Sequence, residues 1–245
     1  MLTSIQTLPI IQSPIFNSFD WLVHGFGIKD ITIEQYVKAL GLKETQIPKT
    51  HQPHGNAVHF LTTKKKTHGP WSIVHGPILE GDAFITMEPG IVCWVRTADC
   101  LPILLVDPKH RAVGAVHSGW KGTTEKVVLA AIDAMKKEYK TAPKDLKVAL
   151  GPAIGGHCYL VQKNVVREFK EAGLYPGPWM DLIDSNKHWF LDIAFANLYL
   201  LETAGVSREQ VYLSLACTAC DLERFHSFRK EGEKKGEQVS FILVR

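Results

Sequence analysis

The stretch Arg96-Thr97-Ala98-Asp99-Cys100-Leu101-Pro102-Ile103-Leu104-Leu105-Val106-Asp107-Pro108-Lys109-His110-Arg111-Ala112-Val113-Gly114-Ala115-Val116-His117-Ser118-Gly119-Trp120-Lys121-Gly122-Thr123-Thr124 decides the fold. It holds two apolar runs, Leu101 to Val106 and Ala112 to Val116, joined by the polar turn Asp107 to Arg111. Short apolar runs flanking an Asp- and Pro-containing turn predict a β-hairpin. Antiparallel pairing sets the start of one strand against the end of the other, which brings Cys100 beside His117. In an extended chain Arg96 points with Cys100 and Asp99 points away. A Cys and a His therefore meet where a helical segment begins.

Working outward, Val127, Val128, Ala131, Ile132, Met135 and Tyr139 recur at helical spacing, and Thr123 or Thr124 is placed to cap that helix. Further helices are predicted over 31–43, closing near Gly41, over Val161 to Glu171, ended by Gly173, and over Leu191 to Thr203, ended by Gly205. Short strands are expected within residues 1–30, after the turn at 51–57, at 81–86, 90–95, Leu146 to Leu150, Val211 to Leu215 and Val239 to Val244. Lys64 to Gly69 reads as a polar turn. Arg224 to Glu237, with charges alternating in sign, reads as a solvated loop. Strands outnumber helices and often follow one another directly, which predicts a mixed α/β fold over regular βαβ winding. No internal repeat or long linker divides residues 1–245, so one domain is expected.

Composition removes several function classes. Hydrophobic residues make up 45% and charged residues 22% of the 245, as in an ordinary globular protein. A formal charge of +3 with scattered basic residues predicts no nucleic-acid partner. No apolar run is long enough to span a membrane, and Pro9, Gln12 and Pro14 interrupt what could have been a signal peptide. Five cysteines, an odd number, argue against a disulfide framework and for a reducing cytoplasm. Neither G-x-G-x-x-G nor a phosphate loop ending in G-K-[ST] is present.

His and Cys suit a catalytic zinc, which takes three protein ligands and keeps a fourth position open. Cys100 and His117 supply two, and His54, followed by Gly55, is the best-placed third. The competing reading is a buried apolar cysteine with hydrogen-bonded loop histidines. Asp82, behind Gly81, is a candidate general base or a partner that orients a ligand, or else a turn aspartate. Ser118, Gly119 and Lys121 precede a helix, where backbone N–H groups and an ammonium could hold an anion such as phosphate; Arg96 is a further candidate for that role. Cys217 and Cys220 form a C-x-x-C without an evident completion, His226 following six residues on, and read as loop cysteines.

These segments together resemble the laccase-domain family, also called YfiH-like or multicopper polyphenol oxidase-like proteins. The resemblance is carried by His24-Gly25-Phe26, Gln52-Pro53-His54-Gly55, Gly81-Asp82-Ala83, Arg96 to Pro102, Ala115 to Gly122, Gly151 to Gly155, Cys217-Thr218, and Phe225 to Arg229. It implies mixed sheets sandwiched centrally with helices outside, and a zinc site, copper being possible, on His54, Cys100 and His117. It also implies a purine nucleoside phosphorylase acting on adenosine, inosine and S-methyl-5'-thioadenosine with phosphate, and adenosine deaminase activity besides.

Rival expectations are a metal-free Cys–His hydrolase or deamidase using Cys100 and His117, a non-catalytic purine-binding protein, and a copper polyphenol oxidase. The last is disfavoured because the chain has no H-x-H pair, the ligand pattern of multicopper centres. Two departures from the family's wording stand out: Leu160, where an acidic residue is common, and Glu237, where an arginine commonly follows glycine.

Overall fold

In a computed structural model of the chain, which describes residues 8–63, 71–74, 76–182, 188–234 and 236–245, the two apolar runs pair as the antiparallel strands Leu101–Asp107 and Ala112–Ser118. The turn is closed by Asp107, whose carboxylate accepts from the backbone N–H of Lys109 and of His110 at 2.9 and 3.1 Å. This hairpin is the centre of a seven-stranded sheet, ordered Val211–Leu213, Lys147–Leu150, Leu101–Asp107, Ala112–Ser118, Ala83–Thr86, Val58–Thr62 and Trp71–Ile73. Its outer pairings are parallel and its inner ones antiparallel. The fold is thus mixed α/β, with no regular winding.

Alternation along the hairpin explains why its strands read as continuous apolar runs: both faces are covered. Leu101, Ile103, Leu105, Ala112 and Val116 pack toward the helices Val127–Tyr139, Lys163–Glu171 and Ile193–Thr203. Leu104, Val106, Val113 and Ala115 pack the opposite way, against Phe26, Cys93, Val95, Ile242 and Val244. Those belong to an antiparallel four-stranded sheet ordered Ile10–Ile11, Leu22–Gly27, Gln238–Val244 and Cys93–Thr97. The helix Ile33–Ala39 covers that sheet's outer face through Ile33, Tyr36 and Val37. Two sheets therefore lie face to face with helices outside. Each fully buried aliphatic side chain in these layers contributes about 1.5–3 kcal/mol.

Several local expectations need correction. The helix Val127–Tyr139 is not capped by Thr123 or Thr124; those residues end a separate five-residue helix, Trp120–Thr124, and Lys126 at φ +59° turns the chain between the two. Val161 and Leu191 belong to short strands, so their helices begin at Lys163 and Ile193, the latter capped by Asp192. Arg224 to Glu237 is not simply a solvated loop, since it contains the helix Phe228–Glu231, capped by Ser227. Lys64 to Gly69 lies outside the described residues. The helix ends at Gly41, Gly173 and Gly205 stand as expected, each with positive φ. No helix among the described residues is long and apolar enough to cross a membrane.

Candidate functional site

The site forms where the chain crosses from one sheet to the other. Arg96 lies on the strand Cys93–Thr97 of the four-stranded sheet, whereas Leu101 already begins the central hairpin. The extended geometry expected from Arg96 to Cys100 is broken by Asp99, at φ +87°. Its carboxylate holds the bend in place, accepting from Thr218 Oγ1 and from the Arg229 N–H, both at 2.7 Å. Cys100 is thereby presented at the start of the central strand Leu101–Asp107. In the hairpin register His117 faces Pro102, two residues past Cys100, so the Cys and His meet on a diagonal.

His54 completes the group. One donor atom each from His54, Cys100 and His117 lies within 4.8 Å of the others. His54 sits at φ +67°, a left-handed conformation that is uncommon for a residue with a side chain and needs support from its surroundings. Asp82 supplies that support. Its fully buried carboxylate accepts from the N–H of His54 at 3.1 Å and of Gly55 at 2.7 Å. The same carboxylate contacts His117 Nδ1 at 2.7 Å. One acid therefore sets the backbone of one histidine and the ring of the other. With Nδ1 as donor, the His117 tautomer leaves the Nε2 lone pair free to ligate.

The donors shift one another's protonation. Burial alone would raise the Cys100 thiol, but His117 and His54 outweigh it and pull it down to about 6. Burial alone would lower His117, yet the Cys100 sulfur and Asp82 lift it to about 9. Thiolate character is what a metal ligand requires. The space between the donors also fits an ion. A Cβ at Gly119 would lie 2.9 Å from Cys100 Sγ and 3.3 Å from His54 Cδ2, so only glycine leaves the cradle open. Two imidazole nitrogens and one sulfur with an open side match a catalytic zinc.

The group forms part of the wall of a cavity of about 640 Å³, a size suited to a small-molecule ligand. Ile154, Tyr159, Ile193, Trp120 and Phe228 give it apolar and aromatic walls, and Arg96 and Arg229 bring positive charge. Arg96 is steered by the Thr50 carbonyl at 3.3 Å and faces Glu237 across 3.7 Å. Arg229 donates to the Leu160 carbonyl at 2.9 Å and lies over Tyr159. Both positions noted in the sequence thus lie beside the cavity's arginines, Glu237 through its carboxylate and Leu160 through its backbone carbonyl.

Of the residues expected for an anion, Gly119 and Arg96 line the cavity and two do not. Ser118 is fully buried, with its hydroxyl bonded to Thr123 and Asn197. Lys121 is exposed, with its ammonium over the Trp120 ring outside the cavity lining. Arg229 was missed because its segment is dominated by charge; the Phe225-to-Arg229 wording was the available signal. His24, though part of that wording, is a core residue: it is buried, and Nε2 accepts from the Ser13 N–H at 2.9 Å.

Comparison with known proteins identifies the family of the chain and the likeness of its fold. The family model described as "Multi-copper polyphenol oxidoreductase laccase" matches residues 31–245. A protein of Deinococcus radiodurans named purine nucleoside phosphorylase is 34% identical over 206 residues, 83% of this chain and 72% of its own length. One of Mus musculus, named purine nucleoside phosphorylase LACC1, is 35% identical over 97% of this chain and 59% of its own length. The crystal structure of YlmD from Geobacillus stearothermophilus superposes with a TM-score of 0.83 at 26% identity, covering 95% of this chain and 94% of that one. With the family model matching residues 31–245 and a relative 34% identical over 83% of this chain, the chain belongs to the multi-copper polyphenol oxidoreductase laccase family.

Proposed function

We propose that the protein is a zinc-dependent purine nucleoside phosphorylase. The carrying observation is the convergence of His54, Cys100 and His117 on a cavity that also offers two arginines and aromatic walls. The names of the relatives supply the substrate class: a purine nucleoside and phosphate. In phosphorolysis a phosphate oxygen bonds to C1′ of the ribose as the bond from C1′ to the purine nitrogen breaks. The purine leaves with the electron pair and gains a proton.

What the chain contributes is positioning and charge. Arg96 and Arg229 are the cavity's candidates for holding phosphate beside the ribose, in place of Ser118 and Lys121. Tyr159, Trp120 and Phe228 offer flat apolar surface for a purine. Zinc bound by the three donors would supply Lewis acidity at the cavity wall. Asp82 keeps His117 in the ligating tautomer throughout. The finer reading takes adenosine, inosine and S-methyl-5'-thioadenosine as substrates and adds adenosine deamination, with the protein in the cytoplasm as one domain.

A second reading rests on a specific observation. In the metal-free protein the lowered Cys100 thiol and raised His117 make a thiolate–imidazolium pair, the pattern of a cysteine nucleophile. One assay separates the two. Inosine and adenosine are incubated with and without phosphate, on zinc-loaded and chelator-treated protein, and products are resolved by chromatography. Hypoxanthine released from inosine only with both phosphate and zinc supports the phosphorylase. Cleavage that ignores phosphate would mean hydrolysis, and activity that survives chelation but not thiol alkylation would favour the nucleophile.

A further inference from the structure

The C-x-x-C that the sequence left without a completion finds one in space. Cys217 and Cys220 lie on the turn after the strand Val211–Leu213, while His157 and Cys158 lie on the single turn Gly156–Cys158. The two turns are stitched together by a bridge between Ala153 and Cys217, and by the Thr218 N–H donating to the Ala153 carbonyl at 3.0 Å. As a result Cys158 Sγ is 3.4 Å, and His157 Nε2 3.2 Å, from Cys220 Sγ. All four donor atoms, including Cys217 Sγ, lie within 4.8 Å of one another.

We propose that His157, Cys158, Cys217 and Cys220 form a second, structural zinc site. The geometry can be checked against the metal's demands. With Zn–S of about 2.3 Å and Zn–N of about 2.0–2.1 Å, the edges of a tetrahedron are about 3.8 Å between sulfurs and about 3.5 Å between sulfur and nitrogen. The donors already stand near those separations, so an ion enters with small side-chain adjustments. Three cysteines and one histidine fill all four positions, which is the closed set of a structural site. The surrounding backbone also suits bound thiolates: the Gly155 N–H points at Cys217 Sγ, 3.2 Å away. A Cβ at Gly155 would come within 2.6 Å of the His157 ring, so a side chain there would push that ring away from its place beside the cysteines.

The site shares no ligand with the first, yet it braces that site's wall. Thr218, between the two cysteines of the C-x-x-C, donates to Asp99, which holds the bend presenting Cys100. Ile154 and Tyr159, on either side of the Gly156–Cys158 turn, line the cavity. The odd cysteine count is then accounted for. One serves the first site, three serve the second, and Cys93 is buried in the core between the sheets.

The test is zinc stoichiometry by elemental analysis of full-length protein loaded with zinc and freed of excess by gel filtration. The wild type is expected to hold about two zinc ions per chain, Cys158→Ser/Cys220→Ser about one, and His54→Ala/His117→Ala about one, on the other site. A Cys158→Ser/Cys220→Ser variant that holds as much zinc as the wild type would overturn the proposal, whereas a His54→Ala/His117→Ala variant that does so would count against the first site alone. Because a cysteine variant could fail to fold, wild-type protein with and without zinc is also pulsed with a maleimide and mapped by mass spectrometry. Zinc should slow modification of Cys158, Cys217 and Cys220 about tenfold or more, since coordinated thiolates are poor nucleophiles toward an alkylating agent. Equal rates, or a Cys158–Cys220 disulfide in the zinc-loaded protein, would refute it.

Discussion

Asp82→Asn is the most informative perturbation, because it keeps the volume of a fully buried side chain and changes only its hydrogen-bonding sense. The carboxylate accepts at both oxygens: Oδ1 faces His117 Nδ1 at 2.7 Å and the His54 N–H at 3.1 Å, and Oδ2 faces the Gly55 N–H at 2.7 Å. Asparagine has one oxygen and one NH2 group. If the amide oxygen stays toward the histidines, its NH2 opposes the Gly55 N–H, leaving a buried donor unpaired at a cost of about 1–3 kcal/mol. If the amide flips, its NH2 faces His117 Nδ1, which must become the acceptor. The ring proton then moves to Nε2, the nitrogen meant for the metal. Either outcome weakens the first site. The expected loss of zinc affinity is about 10–100-fold, equal to about 1.4–2.8 kcal/mol. Competition with a chromophoric chelator measures it, in a background of Cys158→Ser/Cys220→Ser so that only the first site reports. Affinity within about twofold of the parent, against the 10–100-fold expected when such a partner is lost, would refute the role assigned to Asp82.

Further tests follow from the same geometry. Gly119→Ala should abolish zinc at the first site and spare the second, because its Cβ would stand 2.9 Å from Cys100 Sγ; elemental analysis reads this as a drop of one ion per chain. Arg229→Ala and Arg96→Ala should raise the KM for phosphate more than that for inosine, whereas Lys121→Ala, on an exposed residue outside the cavity lining, should leave both near wild type. His24 is held by burial at a pKa of about 4, below its ordinary 6.5. The unfolded chain therefore takes up the proton first. Stability from this group is full above about pH 6.5 and is lost as pH falls toward 4, by about 3 kcal/mol in all. An NMR titration of the His24 ring with a midpoint near 6.5 would contradict this. Cys93 is fully buried with its thiol pushed up by desolvation, so it should resist alkylation in native protein while exposed Cys220 reacts in the absence of metal.

What could be read from the sequence divides along a physical line. Elements whose signal is local and repeated came through: the hairpin with its apolar runs, the helical stripe from Val127 to Tyr139, and the glycines ending helices. The pairing of Cys100 with His117 was legible too, since a short hairpin fixes both partners within one stretch of chain. Lost were features made by backbone turns and by distant segments. The left-handed residue Lys126 carries a side chain that gives no hint of positive φ, and Asp99 is of a type that only sometimes adopts it, so neither the broken helix start nor the bend before Cys100 was read. That error moved the expected anion site to Ser118 and Lys121, whereas the arginine missed, Arg229, lies 130 residues beyond the Asp99 carboxylate that fixes it. The C-x-x-C shows the same limit most sharply. Its complement, His157-Cys158, lies about sixty residues earlier and has no spacing rule to link it. The second donor group is assembled by the parallel strand pair Lys147–Leu150 and Val211–Leu213, whose following loops reach the same end of the sheet and are bridged there through Ala153 and Cys217. That parallel pairing brings a third cysteine to the C-x-x-C and at the same time places Thr218 against Asp99. The two groups are therefore coupled through one bend of the backbone. Loss of the second should be felt at the first as a looser Cys100, even though no ligand is shared.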